Sequence, residues 1–274
     1  MNHPLVNAKW LSQNLEKVIL LHVTMANPVG GNSSTLNDVY IPSSVSFDFE
    51  HTVCDVTSSL PHTMPSCKQF TQNVQELGIH SDSIVVVYDD VGIFSAPRVW
   101  WMLKSMGHND VYLLDGGLPS WLMQGYEVTD SLVQPAGGGT FVAKPIEHAL
   151  FNAEQVVESM DNNEHHIVDA RSSARFNGMV AEPREGLRSG HIPKSLNLPY
   201  TKLIKEGSFA ELEELNTVFN QLAMDKNKRV IASCGSGVTA AIILLAAHIA
   251  GFKKLSLYDG SWSEWGADES LPIA

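Results

Sequence analysis

The stretch Val230-Ile-Ala-Ser-Cys-Gly-Ser-Gly-Val-Thr239 has the residue types best suited to chemistry, because a strand-like run ends at Cys234 and a Gly-Ser-Gly turn leads into an apolar, helix-like run from Thr239 to about Ile249. A cysteine so placed sits at the carboxyl end of a strand, where α/β sheets collect their ligands. The unpaired N–H groups and the dipole of the following helix favour an anion at that point. Thiols at helix N-termini titrate at about 3.5–7.5 instead of near 8.5, so the position predicts a nucleophilic thiolate at neutral pH. Gly235 and Gly237 let successive backbone amides turn toward one atom. A small buried apolar cysteine is the commoner fate of a lone thiol, but the glycine-bearing turn favours reactivity.

A second candidate feature is Asp169-Ala-Arg171-Ser-Ser-Ala-Arg175-Phe-Asn-Gly-Met-Val-Ala-Glu-Pro-Arg184-Glu-Gly-Leu-Arg188, which sets four arginines in eighteen residues of an otherwise acidic chain. It reads as an anion site. Guanidinium forks suit planar carboxylates. For Arg171 and Arg188, pairing with Glu182 and Glu185 is an equally good account.

The elements that must position these groups come from a tandem duplication. Leu5-Val-Asn-Ala8 recurs as Leu150-Phe-Asn-Ala153, and Ile41-Pro42 as Ile192-Pro193. Val86, Ala96, Gly107, Leu113, Asp115-Gly116 and Trp121 recur at one constant spacing as Val230, Ala240, Gly251, Leu257, Asp259-Gly260 and Trp265. At that spacing Asp90 matches Cys234, so the first half has no nucleophile. Strands are expected at Ile19–Val23, Ile84–Tyr88 and Val111–Leu114 in the first half, and at Ile167–Ala170, Arg229–Ser233 and Leu255–Tyr258 in the second. Strand alternating with helix implies an α/β fold with a mostly parallel sheet in each half. Gln134-Pro-Ala-Gly-Gly-Gly139 has linker composition. The expected organisation is a first domain over 1–133, a linker over 134–149 and a catalytic domain over 150–274.

With 274 residues, 44% hydrophobic and 18% charged, each half can bury its own core, and disordered or coiled-coil classes drop out. Thirty acidic against eighteen basic residues give a net charge of -12, which repels nucleic acid and anionic lipid. The longest apolar run, Ala240 to Ala247, is far short of the roughly 20 residues that span a bilayer. The first ten residues lack signal or transit character, and three scattered cysteines, Cys54, Cys67 and Cys234, fit a reducing, cytoplasmic setting. No Cys-x-x-Cys pair suggests a metal. Ordinary packing is the expected role of Cys54 and Cys67.

Five features together resemble the two-domain rhodanese family: the tandem halves, Phe94-Ser-Ala-Pro-Arg-Val-Trp-Trp101, Arg175 with Glu182-Pro-Arg184, Gly190-His-Ile-Pro193, and the loop Cys234-Gly-Ser-Gly-Val-Thr-Ala240. Leu20-Leu-His-Val23 and Asp38-Val-Tyr-Ile-Pro42 depart from the family pattern. The resemblance implies two rhodanese-like domains and a sulfurtransferase that carries sulfur as a Cys234 persulfide, with no cofactor or metal. It implies that amides of Gly235, Gly237, Val238 and Thr239 cradle the sulfur, and that Arg175 and Arg184 hold the carboxylate and keto oxygen of the donor. It further implies a proton relay of Ser236 with His62, oriented by Glu50 or Asp55. The acceptor is expected to be cyanide, a small thiol or thioredoxin, and the protein a monomer.

Thiosulfate-using relatives carry basic residues at the two positions after the cysteine, where this chain has Gly235 and Ser236. A monoanionic keto acid, 3-mercaptopyruvate, is therefore the expected donor, with thiosulfate as the alternative. Two other classes stay open at this point. A cysteine phosphatase would want an arginine closing the loop, where Val238-Thr239-Ala240 has none. A non-catalytic binding module is natural for a duplicated half, although Cys234 argues against it for the whole chain.

Overall fold

The structure, a computed structural model, describes residues 3–25 and 38–274. Met1 and Asn2, part of the N-terminal stretch considered above, and residues 26–37 lie outside that range. The chain divides into two compact units. The first comprises Met1–Val56, Met64–Ile146 and Glu206–Phe209; the second comprises Thr57–Thr63, Glu147–Lys205 and Ala210–Ala274.

In the first unit, β1 (Leu5–Val6), α1 (Ala8–Ser12), β2 (Val18–Val23), β3 (Ser44–Ser46), α2 (Cys67–Glu76), β4 (Ile84–Asp89), α3 (Ala96–Ser105), β5 (Val111–Leu114) and α4 (Gly117–Met123) follow one another along the chain. The strands form a sheet in the order β1-β5-β4-β2-β3, and every paired neighbour is parallel. Helices cover both faces of such a sheet, which explains why the central strand reads as an unbroken Val85-Val-Val-Tyr88 and not as an alternating pattern.

The second unit repeats the plan with β6 (Leu150–Phe151), α5 (Ala153–Ser159), β7 (His165–Asp169), α6 (Ser173–Phe176), β8 (Leu196–Asn197), α7 (Leu212–Gln221), β9 (Arg229–Ser233), α8 (Ala240–Ile249), β10 (Leu255–Tyr258) and α9 (Ser261–Trp265). Its parallel sheet runs β6-β10-β9-β7-β8, the same order as the first. The repeated Leu-x-Asn-Ala motif proves to be a short edge strand followed by a helix cap. Asn7 accepts the Trp10 N–H at 2.8 Å, and Asn152 forms a reciprocal capping box with Gln155.

Two expectations about boundaries change. Strands β2 and β7 begin one and two residues earlier than expected, and α8 starts at Ala240 with Thr239 as its cap. The breaker-rich segment read as a linker is laid along the first unit through Ile146. Phe141 is buried, and its carbonyl accepts from Gln75 Nε2 at 2.8 Å. Lys144 and Ile146 donate their N–H groups to the carbonyls of Met106 and Ser105, at the end of α3. A Cβ on Gly139 would lie 2.4 Å from the Ile79 carbonyl, so the glycine allows a close backbone approach instead of flexibility.

Candidate active site

Cys234 is the first residue past β9, and a five-residue loop separates it from α8. The helix Ala240-Ala-Ile-Ile-Leu-Leu-Ala-Ala-His-Ile249 is apolar around almost its whole circumference and is buried from Ala240 through Ala247, which fixes its N-terminus against the end of the sheet. The loop is anchored from the start of α9. Trp262 donates its N–H to the Cys234 carbonyl at 3.0 Å, and Ser263 donates its N–H (2.9 Å) and Oγ (2.7 Å) to the Gly235 carbonyl. Cys234 donates its own N–H to Ser261 Oγ at 3.1 Å. Gly237 takes φ +75°, the left-handed turn for which glycine is suited. Cys234 is only 2% exposed, so a small reactant is favoured.

The four arginines separate into two roles. Arg171 is buried and structural: it binds Asp169 at 2.7 Å, Glu182 at 2.9 Å and the Gly190 carbonyl at 2.9 Å, with its guanidinium 4.1 Å from the Trp262 ring. Arg188 donates to the main-chain carbonyls of Trp265, Gly266, Asp268 and Leu271, tying down the C-terminal segment. Arg175 and Arg184 instead face the loop. A Cβ built on Gly235 would lie 3.2 Å from Arg175 Nη2 and 3.8 Å from Arg184 Nη1. Glu182 clamps Arg175 from behind through both carboxylate oxygens. Among the described residues Arg184 has no carboxylate within ion-pair distance, and its Nη2 reaches Ser236 Oγ at 3.5 Å.

Ser236 is also met by His62, whose Nδ1 lies 3.0 Å from Ser236 Oγ. The segment Thr57–Thr63 that carries His62 comes from the first half of the sequence but packs with the second unit. His62 holds a positive φ of 61°, an uncommon backbone state for a non-glycine residue. Glu50 and Asp55, the two candidates for orienting the imidazole, belong to the first unit and are half-buried.

Strand register corrects the assignment of Asp90. Val86 pairs with Leu20 as Ile231 pairs with Ile167, and Val87 pairs with Leu113 as Ala232 pairs with Leu257. The counterpart of Cys234 is therefore Asp89, not Asp90. One more residue separates Asp89 from α3 than separates Cys234 from α8, and that extra residue displaces the sequence-based match. Asp90 instead contacts His22 Nε2 at 2.7 Å. The Asp89 carboxylate accepts four backbone N–H groups: Phe94 at 2.8 Å, Ser95 at 2.9 Å, Ala96 at 3.0 Å and Val91 at 3.2 Å. Burial pushes its pKa up and the four donors oppose that shift. The first three donors correspond to Val238, Thr239 and Ala240.

Several residues here escaped the sequence reading. Glu182 pairs with Arg171 as the sequence allows, but that it is buried and also holds Arg175 is visible only in the structure. Ser261 and Ser263 lie in the repeated Asp-Gly turn region but carried no signal beyond the difference between Asp115-Gly-Gly117 and Asp259-Gly-Ser261. Cys54 is buried, donates to the Glu50 carbonyl at 3.2 Å and has its pKa raised by burial and by nearby acidic groups, while Cys67 is half-buried. Among the described residues no cluster of His, Cys, Asp and Glu is placed to hold a metal, and no helix is long and apolar enough to cross a membrane.

Comparison with known proteins places this geometry in context. A rhodanese-like domain matches residues 7–124 and again 152–268. The 3-mercaptopyruvate sulfurtransferase of Escherichia coli K12 is 39% identical over 98% of this chain and 96% of its own length. The mitochondrial thiosulfate/3-mercaptopyruvate sulfurtransferase 1 of Arabidopsis thaliana is 35% identical over 99% of this chain and 78% of its own. The crystal structure of SseA from Escherichia coli, described as a 3-mercaptopyruvate sulfotransferase, superposes with a TM-score of 0.84 at 36% identity, covering 95% of this chain and 99% of that one.

Proposed function

The chain belongs to the rhodanese family, with one rhodanese-like domain in each half, and on that footing we propose that it is a 3-mercaptopyruvate sulfurtransferase whose second unit carries the chemistry. The observation that carries this reading is the convergence of the Arg175 and Arg184 guanidinium groups over Gly235, the residue next to the candidate nucleophile. Two cations there suit a carboxylate beside a keto oxygen and orient a thiol toward Cys234.

In the proposed reaction the Cys234 thiolate attacks the donor sulfur, the carbon–sulfur bond breaks, and its electron pair leaves on the enolate of pyruvate. The proton of the donor thiol passes to the enolate carbon through Ser236 and His62, leaving a persulfide anion on Cys234. Arg184 and the Glu182-clamped Arg175 stabilise the enolate oxygen, and amides of Val238, Thr239 and Ala240 hold the outer sulfur as their counterparts hold the Asp89 carboxylate. A thiol, such as that of thioredoxin, or cyanide then attacks the outer sulfur and regenerates the thiolate. The sulfur rides on the chain itself, so the scheme requires no bound cofactor. We place the protein in the cytoplasm, where its three thiols stay reduced, and as a monomer.

Incubation with 3-mercaptopyruvate tests the reading. Pyruvate release with a mass gain of one sulfur atom on Cys234 supports it, and Cys234→Ser should abolish both while preserving the fold. Phosphate release from an aryl phosphate, or no turnover of either compound, would overturn it. Faster use of thiosulfate than of mercaptopyruvate would overturn the donor assignment alone.

A further inference from the structure

Ser261 is fully buried and holds φ +49°, in the left-handed region that favours glycine. Its counterpart in the first unit, Gly117, opens α4 as Ser261 opens α9 and holds nearly the same conformation, φ +53°. There glycine is a steric necessity: an added Cβ would lie 2.5 Å from the Asp89 carbonyl and 2.7 Å from that of Gly92. The second unit keeps the backbone conformation but places a side chain on it. The Oγ of that side chain accepts the Cys234 N–H at 3.1 Å and donates to the Tyr258 carbonyl at 2.8 Å.

A residue held in an unfavourable conformation persists where its neighbours require it, and such sites cluster where function depends on placement. Taking the sulfur-transfer reading above as the premise, we infer that Ser261 is a positioning residue for the nucleophile, its hydroxyl fixing the Cys234 peptide so that the thiol faces the loop amides. Trp262 and Ser263 hold the carbonyls of Cys234 and Gly235, so Ser261 supplies the missing restraint on the amide side. The donor is bound by arginines from another segment. Loss of the Ser261 hydroxyl therefore acts on kcat and on thiol reactivity, and leaves KM near its parent value.

Two variants separate the hydroxyl from the strain. Ser261→Gly removes the hydroxyl and relieves the backbone; Ser261→Ala removes the hydroxyl and keeps the strained Cβ. Ser261→Gly should melt above Ser261→Ala, because only glycine is at ease at this φ. Both should lose about tenfold in kcat for mercaptopyruvate, the worth of one hydrogen bond misplacing the attacking atom. The rate of Cys234 alkylation by iodoacetamide should fall in both. The inference is overturned if Ser261→Gly retains the parent kcat and alkylation rate, or if activity across the two variants simply follows melting temperature. Should the parent release no pyruvate, the functional reading fails, while the alkylation comparison still decides whether Ser261 positions the thiol.

Discussion

Asp89 and Cys234 hold the same place in two copies of one sheet, each on the residue that meets the N-terminus of the helix following the central strand. In the first copy the helix and loop amides are already bound to a carboxylate. In the second the matching position carries a thiol. In its own first half the molecule thus shows the corresponding backbone N–H groups converging on one side-chain acceptor.

Removal of that carboxylate tests the point. Asp89→Ala leaves four buried N–H groups without their acceptor, which should cost about 2–4 kcal/mol and lower the melting temperature by several degrees. Formate, small enough to enter the vacated site, should raise the melting temperature of the variant more than that of the parent. Equal effects of formate on both proteins would show that the amides do not form an anion site.

Arg175 and Arg184 should differ in what they lose. Arg184 has no ion-pair partner among the described residues, so Arg184→Ala should raise KM for mercaptopyruvate about tenfold or more and leave the melting temperature unchanged. Arg175→Ala should impair the donor step similarly and also destabilise the fold by about 2 kcal/mol, because Glu182, whose side chain is 1% exposed, keeps only Arg171. Steady-state kinetics and thermal melts on the two variants give the comparison.

Gly235 sets how closely the guanidinium groups approach the nucleophile. A lysine there would add bulk where Arg175 Nη2 is already 3.2 Å from a Cβ position and would bring a like charge beside both arginines. Repulsion between charges about 4 Å apart is roughly 1–4 kcal/mol between water and an effective protein dielectric. Arg184, which lacks the clamp that Glu182 gives Arg175, is the group expected to move. Gly235→Lys should therefore weaken mercaptopyruvate use about tenfold or more and raise the ratio of thiosulfate to mercaptopyruvate kcat/KM; an unchanged ratio would count against the geometry.

His108 should make the fold acid-sensitive. It is 1% exposed and its Nε2 contacts the Ser83 carbonyl at 3.0 Å, so protonating the ring would bury a charge. Burial holds its pKa below the usual 6.5, and burial shifts His165 and His166 the same way. The unfolded chain then binds protons that the native state refuses, so stability is complete above the ordinary imidazole value and declines as pH falls below it. The slope reaches at most about 1.4 kcal/mol per pH unit for each histidine. Thermal melts between pH 7.5 and 5 should show this decline, and His108→Gln should make it shallower, leaving the share of His165 and His166.

Read alone, the sequence determined the duplication, the parallel α/β plan of each half, the cysteine at a strand end before an apolar helix, and an arginine-rich segment. Each rests on local spacing, which short-range physics controls: apolar runs become buried strands, Asn caps a helix, and glycines permit a tight turn. The family resemblance named Arg175, Arg184, His62 and Ser236, but the tertiary structure supplied the contacts that bury Arg171, turn Arg175 and Arg184 to the loop and set His62 beside Ser236, and it alone decided that the glycine-rich segment before Ile146 is bonded down. It also showed that Asp89, not Asp90, answers to Cys234. A one-residue difference in loop length is invisible to a constant spacing, because only hydrogen-bonded register between neighbouring strands shows which side chains share a face.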